Sequence, residues 1–221
     1  MSDSYLALDG PARAETPKVK GSRFIGEAFA AADDAAVAVC LADLRRREPQ
    51  ATHWCWAARR GAPGERGDGA TPRTSDDGEP AGSAGIPILR EIERRGLSDT
   101  LVVVTRYYGG TKLGTGGLAR AYGEAAGLAL DAAPTAVRVV RVGVRLAFGF
   151  ADTAAAMRVA SGAGVAVREQ TFSASGSVLV LDVPRSAAEA LAARFVEATA
   201  GRGVADLGVA DLGPGIGTSR T

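Results

Sequence analysis

Two polar loops flank one apolar run in the stretch from Ser75 to Arg120, and they hold the side chains best suited to chemistry. The first loop places Asp76, Asp77 and Glu79 within four residues. Carboxylates so spaced suit a hard cation such as Mg2+, which takes one or two carboxylates and keeps several waters. They equally suit a turn before a helix, where acidic groups accept free backbone N–H groups and oppose the positive end of the helix dipole. The second loop, RYYGGTKLGTGG, carries Arg106, Tyr107, Tyr108, Gly109, Gly110, Lys112, Gly114 and Gly116, with Arg120 just beyond it. Unpaired N–H groups between a strand and a helix favour an anion. Cations beside aromatic rings make a surface for stacking a base or gripping a peptide. The structural alternative is backbone geometry for the glycines and packing for the tyrosines.

Familiar catalytic templates do not fit these loops. In GGTKLGTG the glycine that closes a four-residue spacing is Gly114, and Thr115 follows it where a phosphate-binding loop requires Lys. Gly114, Gly116 and Ala119 satisfy a dinucleotide fingerprint by letters, but they lie well after the strand ending at Thr105 and no further βαβ unit follows. The acidic turn lacks the ligand ladder of an EF-hand. Gly82 to Gly85 reads G-S-A-G, one residue short of a nucleophile elbow. His53 is the only histidine, so a His-rich zinc site is excluded; two Cys plus one His leave at best a three-ligand site, and whether the acidic turn binds a metal ion stays open. His53 and Cys55 share a strand face as a candidate base and nucleophile, but side chains two apart on a strand lie about 6 to 7 Å apart.

These loops need elements to position them. Ser22 to Phe29 reads as a strand, and Asp33 caps a helix with apolar residues at spacings of three and four that ends in Arg45, Arg46 and Arg47, cations suited to the helix dipole. Ala51 to Ala58 is a strand with His53, Cys55 and Ala57 on one face and Trp54 and Trp56 on the other. The glycine-rich Arg59 to Thr74 segment reads as a surface loop. Ile88, Leu89 and Ile92 mark a helix stopped by Gly96, Leu101 to Thr105 a buried central strand, and Leu118 to about Asp131 a second helix. Beyond Pro134, one alternating strand from Ala136 to Phe148 leads into a β-α-β-β-α-β order, the ferredoxin-like split βαβ arrangement. The expected boundaries are a loose arm over 1–18, a first domain over 19–133, a ferredoxin-like domain over 134–211 and a flexible tail over 212–221.

Composition narrows the class. The hydrophobic fraction is 46%, enough for a sizeable core, and the formal net charge is only +1. Each half, divided at Ala132, is close to charge-balanced, so nucleic-acid binding would need a local patch made by folding. No basic stretch precedes an apolar run near Met1 and no segment is long and apolar enough to span a membrane, so a cytoplasmic protein with no membrane partner is expected. Cys40 and Cys55 are too few for a disulfide scaffold and read as reduced thiols.

SDDGEPAGSAGIPIL followed by VVVTRYYGGTKLGTGGLARAYGEAA closely resembles the signature of the YigZ/IMPACT family, and KGSRFIGEAF and ATHWCWAAR are similar to that family's opening strand and His-containing strand. The likeness covers residues 18–132 by motif, and the remainder is similar in layout to the second domain of bacterial members. The resemblance implies an α+β protein. Its first domain would be similar to a ribosomal-protein fold also found in domain IV of elongation factor G, and its second to a ferredoxin-like domain. Eukaryotic relatives regulate translation under amino-acid starvation by binding a partner of the starvation kinase. The leading expectation is a non-enzymatic protein, without a cofactor, that meets RNA, the ribosome or translation factors through Arg106, Tyr107, Tyr108 and Lys112. The alternatives are a metal-dependent hydrolase using the acidic turn on a phosphorylated or peptide substrate, and a module that binds only protein.

Overall fold

Leu101 to Val104 is apolar at every position because both faces of that strand are covered. The computed structural model describes residues 3–61 and 72–208, and the chain divides into two units, Met1–Arg138 and Val139–Thr221. The elements of the first are β1 (Ser4–Leu8), β2 (Ala12–Glu15), β3 (Arg23–Ala30), α1 (Asp34–Arg47), β4 (His53–Arg59), β5 (Arg73–Ser75), α2 (Gly85–Arg94), β6 (Thr100–Tyr107), α3 (Thr115–Ala132) and β7 (Thr135–Val139). Five strands form an antiparallel sheet in the order β2-β3-β6-β4-β5, with the apolar run at its centre.

Side chains alternate across β6. Val102 and Val104 join Phe24, Cys55, Ala57, Ile88, Ile92 and Tyr122 in the core beneath α2 and α3. Leu101 and Val103 face the other way, with Val37 and Leu44 of α1 and the partly buried Trp54 and Trp56. The expected faces of β4 are therefore observed. Asp33 caps α1, accepting from the Ala36 N–H at 2.7 Å. Beyond any dipole effect, the basic run at its end has specific partners: Arg47 reaches Glu27 and Asp43, Arg46 reaches Asp43, and Arg45 reaches Asp77. Helix α3 lies hard against β3. A Cβ added at Gly26 would stand 2.1 Å from the Ala125 carbonyl oxygen, so only glycine permits that approach.

Two sequence expectations are corrected here. Residues 1–18 contain strands where a loose arm is expected: β2 extends the sheet beside β3, and β1 pairs with β7 while burying Ala7 and Leu8. The single strand read over Ala136 to Phe148 is two, because β7 pairs with β1 in the first unit whereas β8 (Arg141–Gly149) belongs to the second.

The second unit continues through a 3-10 turn at Phe150–Asp152, α4 (Thr153–Ala160), β9 (Ala166–Phe172), β10 (Gly176–Pro184), α5 (Arg185–Ala198) and β11 (Val204–Leu207). Its antiparallel sheet has the order β11-β8-β10-β9. Val144, Leu146, Phe148, Leu179, Leu181 and Val183 pack with Ala156, Val159, Leu191 and Phe195 of its helices. The architecture is α+β. Among the described residues no helix is long and apolar enough to cross a membrane. The expected tail over 212–221, and residues 62–71 of the glycine-rich loop, lie outside the described residues.

Candidate functional site

The site lies where β6 leaves the sheet. In register, Arg106 stands between Phe24 of β3 and His53 of β4, and its position two beyond Val104 turns the side chain into the α2–α3 core. The guanidinium is 4% exposed and forms an ion pair with Glu79, whose side chain is 5% exposed. Glu79 Oε1 also accepts from the Tyr122 hydroxyl at 2.8 Å, and His53 Nε2 stands 3.8 Å away. Arg106 Nη2 donates to Ser22 Oγ at 3.3 Å, while its Nε has no partner. The guanidinium carbon is 5.4 Å from the ring centre of Phe24 and 5.3 Å from that of Tyr108, so the cation sits against two aromatic rings. The expectation that Arg106 presents its charge at the surface is corrected: the structure holds it inside.

The acidic turn is tied to this centre residue by residue. Asp76 accepts the N–H groups of Gly82 at 2.8 Å, Ala84 at 2.9 Å and Gly85 at 2.8 Å, and so satisfies the start of α2. Burial alone would raise its carboxyl, but the three N–H bonds prevail and hold it below the ordinary carboxylate range. Asp77 accepts the Trp54 N–H at 2.7 Å and faces Arg45 at 3.4 Å. Its carbonyl oxygen is 2.8 Å from His53 Nδ1, which assigns the imidazole proton to Nδ1. Cys55 Sγ donates to the Asp76 carbonyl at 2.9 Å. His53 and Cys55 thus each bond to a carbonyl of the turn. Burial pushes the Cys55 thiol up to about 12, and it likewise raises the Tyr122 phenol. A thiol so protonated is a poor nucleophile. Among the described residues no group of three His, Cys, Asp or Glu side chains is placed to hold a metal ion.

The outer part of the glycine loop is solvent-facing. Tyr107 turns to the opposite face, where its hydroxyl donates to Glu48 and Arg23 lies 5.3 Å over its ring. The Glu48 bond raises the phenol, and the same bond lowers the carboxyl. Tyr108 is 47% exposed. Its N–H donates to Thr52 Oγ1 at 3.1 Å, and the next N–H, that of Gly109, donates to Ser22 Oγ at 3.1 Å. A Cβ at Gly109 would lie 2.0 Å from the Gly21 carbonyl carbon, so these two backbones meet only because both residues lack one. Gly110 and Lys112 are exposed, Gly114 and Gly116 form the exposed start of α3, and Arg120 is exposed one turn later. The acidic turn and the glycine loop therefore converge through Glu79 and Arg106. Nothing in the residues around Ser22 and Thr52 marks them as anchors of the loop, because their partners lie far away in sequence. The sequence pattern marks Tyr122 only as a core position on α3, although its hydroxyl belongs to the network.

These residues fall within a recognised domain. The family model described as the Impact N-terminal domain matches residues 20–130. An IMPACT family member of Haemophilus influenzae is 36% identical over 166 residues, covering 75% of this chain and 79% of that protein. IMPACT family member YigZ of Escherichia coli is 42% identical over 113 residues, covering 51% of this chain and 54% of the relative. An IMPACT family member of Thermus thermophilus, described as lying in the pol 5' region, is 47% identical over 118 residues, covering 53% and 60%. A solved structure titled as the crystal structure of a hypothetical protein matches with a TM-score of 0.72 at 27% identity, over 96% of this chain and 100% of that one. With the domain matched across the whole buried network and a relative aligned over most of both lengths, the chain belongs to the IMPACT family.

Proposed function

We propose that this chain acts without catalysis in translation or its regulation, in the cytoplasm, and that it binds RNA or RNA-containing ribosomal components through the exposed arc from Tyr108 to Arg120. One observation carries the reading: the chain locks Arg106 and Glu79 inside, yet the residues that follow present an aromatic ring, Lys112, Arg120 and glycine backbone outward on an anchored loop. Such a surface suits a phosphate-bearing strand with accessible bases. Family membership adds the association with translation regulation. The first unit is read as the ribosomal-protein fold shared with domain IV of elongation factor G. The strand order β11-β8-β10-β9 supports a ferredoxin-like second unit.

The hydrolase alternative depends on three available carboxylates. Asp76 now accepts three N–H groups, Asp77 meets Trp54 and Arg45, and Glu79 meets Arg106 and Tyr122, so the geometry gives that reading no support.

The test is binding of ribosomes and of structured RNA at two salt concentrations, with Lys112→Ala and Arg120→Ala variants beside the parent. Affinity should fall as salt rises, and each substitution should weaken binding and flatten the salt dependence by about 0.7 to 0.9 in slope for each lost phosphate contact. Salt-independent binding, or variants that bind like the parent, would sink the proposal.

A further inference from the structure

We infer that the ligand recognised at this loop is an unpaired nucleobase in single-stranded RNA, and that Tyr108 is the platform on which it stacks. The inference rests on the RNA-binding reading above and narrows it to one chemical class.

Three groups form a column where the central strand β6 leaves the sheet. The Phe24 ring lies innermost, the Arg106 guanidinium above it, and the Tyr108 ring outermost, with spacings of 5.4 and 5.3 Å from the cation to the ring centres. The base of the column is fixed, since Phe24 packs edge-on against Tyr122 with ring centres 5.2 Å apart. The cation is fixed by Glu79 and Ser22. The top is fixed through its backbone: Thr52 holds the Tyr108 N–H, Ser22 holds the Gly109 N–H, and the Gly21–Gly109 approach closes the loop behind it. One face of the Tyr108 ring is thus occupied by a buried cation, while the residue as a whole is 47% exposed.

A ring held in this way loses little rotamer freedom when a second flat group settles on its outer face. Arg106 also draws electron density toward the inner face. An incoming Lys or Arg of a protein partner would meet a ring whose electrons are already engaged, whereas a neutral π-system stacks without that conflict. A duplex offers no free base face along its length, so the match is to unpaired nucleotides. Lys112, exposed on the same loop, is the phosphate partner that accompanies the base.

The experiment uses the full chain and a short single-stranded RNA carrying 2-aminopurine, compared with the same strand annealed to its complement. The parent should prefer the single strand and quench the 2-aminopurine signal on binding. Tyr108→Phe should retain both properties. Tyr108→Leu should lose the quench and bind the single strand about 5- to 150-fold more weakly, the loss of one stacked base, with its salt dependence intact. Quenching by the parent is a readout that does not depend on any variant folding. No quench, equal or better duplex binding, or a folded Tyr108→Leu variant that binds like the parent would overturn the stacking inference, since Tyr108 would then be only an internal cover for Arg106, while leaving salt-dependent RNA binding in place. Absence of salt-dependent binding to either RNA would overturn both readings.

Discussion

Removing the charge of Glu79 should cost the first unit about 3 to 5 kcal/mol, because it strands the Arg106 cation in the core. Glu79→Gln is the informative change. It keeps the side-chain length and an acceptor for the Tyr122 hydroxyl, and deletes only the charge opposite a guanidinium that is 4% exposed. A guanidinium cannot relieve itself by losing a proton, whereas a carboxyl can neutralise itself by binding one. Arg106→Met, which leaves the acid behind, should therefore be milder than Glu79→Gln. The double variant should be less destabilised than Glu79→Gln alone, with a coupling of about 2 kcal/mol or more, since no stranded cation remains. Urea unfolding followed by tryptophan fluorescence isolates the relevant unit, because the two tryptophans of the chain, Trp54 and Trp56, both lie on β4. With about 2.1 cal/mol/K of unfolding entropy per residue over Met1–Arg138, the Glu79→Gln loss corresponds to a fall in melting temperature of about 10 to 17 °C. A cost below about 1 kcal/mol, the value of a surface pair, would refute the reasoning. So would additive effects in the double variant.

Asp76→Ala should destabilise the first unit by about 1 to 2 kcal/mol through loss of the helix-start acceptor. Because the folded carboxyl is held below its unfolded value of about 3.9, its contribution is present above pH 4 and lost as pH falls toward and through the folded value. Urea midpoints between pH 6 and pH 2.5 should therefore show a smaller acid decline in Asp76→Asn than in the parent, and identical declines would contradict the assigned bonds. Cys55 should resist a thiol reagent at pH 8 in the folded chain, its thiolate fraction being roughly a thousandfold below that of an ordinary thiol, and should react fully in denaturant. A Cys40→Ser variant isolates that signal, and rapid labelling of it under native conditions would show that the buried geometry is wrong.

Local periodicity made several elements readable in the sequence. The β-branched run of β6, the apolar spacing of α2 and α3, and the Asp33 cap each depend on neighbours within a turn or two, so the sequence carries them directly. Strands β1 and β2 depend on distant partners: β1 finds β7, and β2 finds the edge of β3. Their short segments lie among prolines that read as loop. The break at Val140 was hidden for a related reason, since the alternation of side chains runs through it while the pairing changes from one sheet to another.

Arg106 shows how a readable signal can be outweighed. The period of two from Val102 and Val104 directs it inward, but its place beside a glycine loop suggests a surface cation. Resolving that conflict required Glu79, which is far away in sequence and reaches the arginine only because Asp76 starts α2 and Asp77 fastens the turn to β4. The acidic residues that looked most like a catalytic cluster thus complete one buried arrangement. Its structural product is a rigid seat for Tyr108. The division of labour follows from burial: Arg106 and Glu79 neutralise each other where desolvation would make either alone costly, whereas Tyr108, Lys112 and Arg120 still face water and are the groups to which the proposed RNA recognition would fall.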